Sequence, residues 1–297
     1  MGGTFGRRFF VAGAAGVLLG CRSATRRARP GERPMPTPST APMPVGFVAH
    51  GAPTLALDAA RGADFRRWGE ALPTPRAILV LSAHWLAAPL RLGQTAGGRI
   101  VHDFRGFPRP LYELGYDAPG APELARRVEG LLEGEWALQR DDGRPMDHGV
   151  WVPLLHMRPA ADVPVLQLSM PQRWPREKLV ALGRALRPLR DEGVLLLGSG
   201  NLTHNLRRVD FADRGEAPPS WASEFDAWVS EAIRARDVDA LVDAEARAPA
   251  FATNHPTDEH YRPLLVAMGA SDEGDAPSFP VTGWEYGSLT RRSVQLG

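Results

Sequence analysis

The chain has 297 residues with eight histidines and one cysteine, and the neighbours of each histidine decide whether it could do chemistry. Val45-Gly-Phe-Val-Ala49 runs straight into His50-Gly51-Ala52-Pro53. Ala77-Ile-Leu-Val-Leu-Ser82 leads to Ala83-His84-Trp85, and Val194-Leu-Leu-Leu-Gly-Ser-Gly200 leads to Asn201-Leu-Thr-His204-Asn205. Each is a short apolar run of buried-strand length that ends in turn residues. One histidine at a strand end is ordinarily a hydrogen-bonded structural residue; three such arrangements point to a shared metal site. His148 lies in Asp147-His148-Gly149, which reads as a loop, and His255 and His260 lie in Asn254-His-Pro-Thr-Asp-Glu-His260-Tyr261, which also carries Asp258 and Glu259. Imidazoles with an optional carboxylate suit Zn²⁺ or Fe²⁺, and with open positions such a site serves either hydrolysis or oxygen activation.

Other residues read as structural. His156, in the apolar Leu154-Leu155-His156-Met157, is expected in the core, and His255, in the turn Asn254-His255-Pro256, in a structural or supporting role. Gly198-Ser199-Gly200 is not a nucleophile elbow, and there is no phosphate-cradling or dinucleotide glycine pattern.

The elements that must position these histidines alternate. Strands are expected at 45–49, 77–82, 163–169 and 194–198, and helices at 121–132, 175–189 and 221–242, with Pro122 and Pro175 suited to first-turn positions. Strands alternating with helices imply a single-domain α/β fold, with a mainly parallel central sheet, helices on both faces and the site at the carboxyl edge of the strands. No break or internal repeat divides residues 45–297, so this stretch is expected to be one catalytic domain.

The first 44 residues differ from the rest. Arg7 and Arg8 precede an uncharged run to Leu19 that is too short to span a bilayer, and Leu18-Leu19-Gly20-Cys21 resembles a lipobox. Residues 1–21 therefore read as a twin-arginine-like lipoprotein signal with Cys21 as the lipidation site. Residues 22–44, rich in Pro and Arg, read as a tether. These features imply an exported, membrane-anchored protein, touching the membrane only through lipid; a cytoplasmic protein is the alternative. With Cys21 acylated, the body has no thiol for a disulfide or a metal. Without the leader, which holds seven arginines and Glu32, the chain has 28 basic and 33 acidic residues, and no basic patch stands out, so a small molecule is expected as partner rather than nucleic acid.

Six ordered motifs carry a resemblance: His50-Gly-Ala-Pro53, Ser82-Ala-His84-Trp85, Val101-His-Asp-Phe-Arg-Gly-Phe-Pro108, Asp147-His148-Gly-Val-Trp151, Gly198-Ser-Gly-Asn-Leu-Thr-His204-Asn205 and Pro256-Thr-Asp-Glu-His260-Tyr261. Together they resemble the extradiol ring-opening dioxygenases of the 4,5-DOPA type, a branch of the class III enzymes related to the protocatechuate 4,5-dioxygenase catalytic subunit. The resemblance implies metal ligation by His50, His84 and His260, with Glu259 as rival for the third position. It implies that His204 completes the shell or acts beside it as acid/base, and that His148 is the histidine near oxygen and substrate. His102, Asp103 and Phe104 are then expected to line the substrate cavity, with Phe104 or Trp151 against an aromatic ring.

The implied reaction opens a catecholic diol with O₂ at Fe(II), and Zn(II) fits the same ligands. A free imidazole ionises near about 6.5, so His204 could accept a catechol proton and His148 could donate to oxygen near neutrality. Oxygen inserted beside the diol, followed by hydrolysis, would give a muconic semialdehyde-type product. The same residues also suit a zinc hydrolase, or an exported metal-binding lipoprotein, although the latter favours exposed flexible histidines over strand ends.

Overall fold

Along the inner strands apolar side chains point alternately to opposite sides, so both faces of the sheet must be covered. The computed structural model describes residues 1–4, 6, 41–212, 215 and 217–297. The chain divides into the units Met1–Thr37 and Pro38–Gly297, and every element named below lies in the second. Arg7, Arg8, Cys21 and most of the expected tether lie outside the described residues.

The strands are β1 (Val45–Ala49), β2 (Ala77–Ala87), β3 (Leu90–Leu92), β4 (Leu138–Arg140), β5 (Val165–Pro171), β6 (Val194–Gly200), β7 (Pro277–Ser278), β8 (Trp284–Glu285), β9 (Leu289–Thr290) and β10 (Val294–Leu296). The helices are α1 (Ala59–Ala71), α2 (Pro122–Leu132), α3 (His148–Met157), α4 (Arg176–Leu186), α5 (Ser220–Arg234), α6 (Val238–Val242), α7 (Ala244–Arg247), α8 (Phe251–Asn254) and α9 (Arg262–Ala270). Eight strands form one sheet in the order β4-β3-β5-β2-β6-β1-β10-β7, while β8 and β9 pair separately. The central β5, β2, β6 and β1 are parallel, and β3 and β10 join them antiparallel on either side. This is the mainly parallel α/β sheet expected from the alternating runs.

Alternate residues build two cores. Leu79 and Leu81 of β2, Leu196 of β6 and Phe47 of β1 pack with the apolar faces of α2, α4, α5 and α9. Ile78 and Val80 of β2, Leu195 and Leu197 of β6 and Val48 of β1 pack with α1 and α3 on the other face. No helix among the described residues is long and apolar enough to cross a membrane.

Three local expectations are corrected. The helix expected over 221–242 is broken, because Arg236 takes a left-handed conformation (φ 54°) and Asp237 starts α6 by accepting the Ala240 N–H. Apolar periodicity marked the buried face but not this new cap. His148, read as part of a loop, is the first residue of α3. Nine of the ten α3 residues are buried, so it has no polar stripe from which a helical period could be read. Finally, β2 continues past 82 to Ala87, with a register irregularity between Ser82 and Leu86 that contains His84.

Candidate metal centre

Three elements deliver imidazoles to one point at the carboxyl edge. His50 follows the last residue of β1. His84 sits in the irregular stretch of β2, where a bulge re-aims a side chain out of the regular alternation. His260 lies just before α9 and is drawn onto β6 by the Asn201 N–H, which donates to its carbonyl at 3.1 Å. A Cβ at Gly200 would lie 2.1 Å from that same carbonyl, so the Gly198-Ser199-Gly200 pattern permits backbone to pack on backbone here.

The Nε2 atoms of His84 and His50 are 3.0 Å apart, and those of His260 and His84 are 3.3 Å apart. Ser199 Oγ donates to the Gly149 carbonyl at 2.5 Å, so it accepts from His50 Nδ1–H at 2.8 Å. Glu259 Oε1 accepts from His260 Nδ1–H at 3.2 Å. Both rings therefore carry their proton on Nδ1 and turn an Nε2 lone pair toward His84. Lone pairs brought this close repel unless a cation lies between them. With metal–nitrogen bonds of about 2.1 Å and angles from about 90° to 109°, neighbouring ligand nitrogens stand about 3.0 to 3.4 Å apart, so the trio fits a single ion.

The electrostatics agree. Burial, and then the neighbouring imidazoles, hold the pKa values of His50 and His260 well below the usual histidine range. Burial and the His148 ring hold His84 down at about 3, although Asp103 and Glu259 pull the other way. All three are neutral at pH 7, the form that binds metal.

His148 and His204 flank the trio. The His148 ring lies 3.9 Å, centroid to centroid, from that of His84, and the His204 ring stacks on His260 at 3.4 Å with 12° between planes. Burial holds His204 at a pKa of about 4, so it too is neutral near pH 7. Among the described residues His204 groups with Glu259 and His260 and does not join the cluster of His50, His84 and His260. Glu259 is engaged at the Nδ1 side of His260, away from the converging Nε2 atoms.

The residues expected along the cavity have distinct surroundings. Asp103 Oδ1 accepts both the His148 backbone N–H at 3.1 Å and its Nδ1–H at 2.8 Å. Burial alone would raise the Asp103 pKa, but the His148 hydrogen bonds outweigh it and hold the carboxyl below its usual value. His102 Nε2 donates to the Leu114 carbonyl, and its ring packs on Phe104, Tyr112 and Trp151. Phe104 is half-buried with its ring 5.7 Å from that of His148, whereas Trp151 is fully buried and donates to the Val101 carbonyl. His156 and His255 are buried and donate to the carbonyls of Leu55 and Leu202, as expected of core histidines.

Sequence reasoning passed over the supporting residues. In the sequence Ser199 reads only as part of a pattern that is not a nucleophile elbow, and its bond to His50 spans 149 positions. Asp147, fully buried with its pKa raised by that burial, accepts from Ser82 Oγ at 2.7 Å and from Gln167; Ser82 Oγ in turn accepts the His84 N–H at 3.2 Å. The signal for Ser82, Gln167 and Ser199 is a polar side chain inside an otherwise apolar strand, whereas Asp147 lies before α3. Ser199→Ala is expected to leave the fold intact and weaken metal binding about 10- to 100-fold, read by competition with a chelator. Unchanged affinity would mean that Ser199 does not orient His50.

The chain matches the family described as the catalytic LigB subunit of aromatic ring-opening dioxygenase over residues 59–296. It is 39% identical over 256 residues to a 4,5-DOPA dioxygenase extradiol of Beta vulgaris, covering 84% of this chain and 95% of that protein. It is 38% identical over 267 residues to a 4,5-DOPA dioxygenase extradiol of Escherichia coli K12, covering 87% of this chain and 96% of that protein. The crystal structure of an uncharacterized Escherichia coli K12 protein superposes with a TM-score of 0.72 at 34% identity, over 86% of this chain and 100% of that one.

Proposed function

The chain belongs to the LigB family of aromatic ring-opening dioxygenases, and from that premise we propose that it opens a 4,5-DOPA-like catechol at ferrous iron held by His50, His84 and His260. It is a non-haem, metal-dependent extradiol dioxygenase, an oxidoreductase that acts on an aromatic substrate and O₂. The observation that carries the ligand assignment is the convergence of three Nε2 atoms at 3.0 and 3.3 Å, two of them with the opposite nitrogen already donating. When bound, iron would supply open positions together with redox chemistry toward O₂; zinc would share the open positions but is redox-inert.

The protein's own groups supply the rest. His204, neutral and beside His260, accepts a proton from the incoming diol. His148, its Nδ1 proton held by Asp103, takes a substrate proton on its Nε2 lone pair and then returns that proton to oxygen. Phe104, backed by the rings of Phe107 and Tyr112, offers an apolar wall to the aromatic ring. The His102 ring packs edge-on against Phe104 and supports that wall, while Asp103 holds His148 beside it.

Anaerobic loading with Fe²⁺ or Zn²⁺, then addition of dihydroxyphenylalanine and O₂, tests this reading. Coloured ring-opened product with one O₂ consumed per catechol is expected with iron alone. Ester hydrolysis with zinc and no O₂ uptake would instead favour the hydrolase, an alternative that family membership does not favour.

We also propose that the protein is exported and anchored through a lipid on Cys21, on the strength of Arg7-Arg8, the uncharged run and the position of the chain's one cysteine. Cys21→Ser is then expected to abolish lipid labelling and release the protein from membranes. Unchanged membrane retention would reject the anchor.

A further inference from the structure

Asp103 lies outside any helix or strand, between β3 and α2, yet its position is fixed. Just before it in the chain, the Val101 N–H donates to the Met146 carbonyl at 2.9 Å and the His102 ring donates to the Leu114 carbonyl at 3.2 Å. The carboxylate so delivered spends one oxygen on His148 twice, at the backbone N–H and at ring Nδ1, while its other oxygen stands 4.0 Å from His84 Nδ1.

The start of α3 explains why a distant residue does this. Its N-cap, Asp147, makes no side-chain cap bond, because Ser82 and Gln167 already occupy that carboxylate. The first N–H of α3, that of His148, is satisfied from 45 positions away. A cap needs only the bond to the backbone. The second bond, to Nδ1, fixes the rotation of the ring and its tautomer, with the proton on Nδ1 and the lone pair on Nε2.

We propose that Asp103 is the positioning residue of the acid–base step, holding His148 in its Nδ1-protonated tautomer with Nε2 free to exchange a proton with the substrate. This rests on the reading of His148 as an acid–base group. An unheld imidazole spreads over two tautomers and several rotamers, only some of which present Nε2 correctly, and the loss falls on turnover. A carboxylate behind Nδ1 also stabilises the imidazolium formed when Nε2 takes a proton, by the same logic as the aspartate behind a catalytic-triad histidine.

The test compares Asp103→Ala, Asp103→Asn, His148→Ala and the Asp103→Ala/His148→Ala double variant in the full chain. Readouts are kcat, KM, metal content and the ¹⁵N ring signals of histidine-labelled, zinc-loaded protein. Asp103→Ala is expected to lower kcat about 10- to 100-fold with metal content and KM little changed. The double variant should be no slower than His148→Ala, as expected for residues acting as a unit. In Asp103→Ala the His148 ring signals should move from the Nδ1-protonated pattern to a tautomer mixture. Asp103→Asn retains an oxygen for the helix cap, so it should melt like the parent and still lose about ten-fold in kcat. Additive losses in the double variant, or parental ring signals in Asp103→Ala, would overturn the assignment. A parental kcat for His148→Ala, by contrast, would overturn the acid–base reading on which it rests.

Discussion

Replacing His260 with alanine is expected to empty the metal site and take ring-cleaving turnover below detection, in a chain that still folds. The three Nε2 atoms form a cluster in which His260 faces His84 at 3.3 Å, so its removal leaves two imidazoles to hold an ion that needs three protein ligands. The loss should exceed the roughly 10- to 100-fold that removal of an outer partner costs. Glu259 provides the contrast. Its carboxylate accepts from His260 Nδ1 and from Thr257 Oγ1, so it orients the ring from behind. Glu259→Gln retains an acceptor oxygen and is expected to weaken metal binding by no more than about 10- to 100-fold. Metal content after gel filtration and O₂ uptake measure both variants, and far-ultraviolet circular dichroism confirms the fold. If Glu259→Gln emptied the site while His260→Ala kept its metal, the third ligand would be the carboxylate.

His148→Ala is expected to have the opposite signature, with metal retained and kcat lowered by about 10² to 10⁴, the usual worth of a positioned acid or base. The ring is buried, 8% exposed, and lies against His84 without belonging to the converging trio. Its loss removes the group that exchanges a proton with the substrate and leaves the ligand set whole. Truncation also frees the Asp103 carboxylate from Nδ1, although the backbone N–H still donates to it, so α3 keeps its cap and the helix should survive. Steady-state kinetics in iron-loaded protein, normalised to bound metal, isolate the chemical loss. A variant that lost its iron in parallel with its turnover would identify His148 as a ligand.

The parallel core was legible because each inner strand is a contiguous apolar run, and β1 matched its expected bounds at Val45–Ala49. The same local logic placed His50, His84 and His204 near strand ends. It worked less well where the signal is not local in kind. The apolar α3 shows no period, so His148 reads as a loop residue, and a left-handed Arg236 separates α5 from α6 although apolar residues continue in the sequence from Ile233 to Val238 and Leu241. The irregular stretch of β2 that turns His84 toward the site leaves no mark in composition.

By itself the sequence determined which side chains could do the chemistry, since residue type and position after an apolar run are properties of short segments. Only the tertiary structure decided what each does toward the others. Ser199 fixes the His50 tautomer from 149 positions away, Asp103 fixes that of His148 from 45 positions away, and Glu259 stands behind His260 while His260 and His84 approach across 176 positions. A proton sits on one ring nitrogen or the other according to the partner that faces it, and that partner is chosen by how the strands and helices pack.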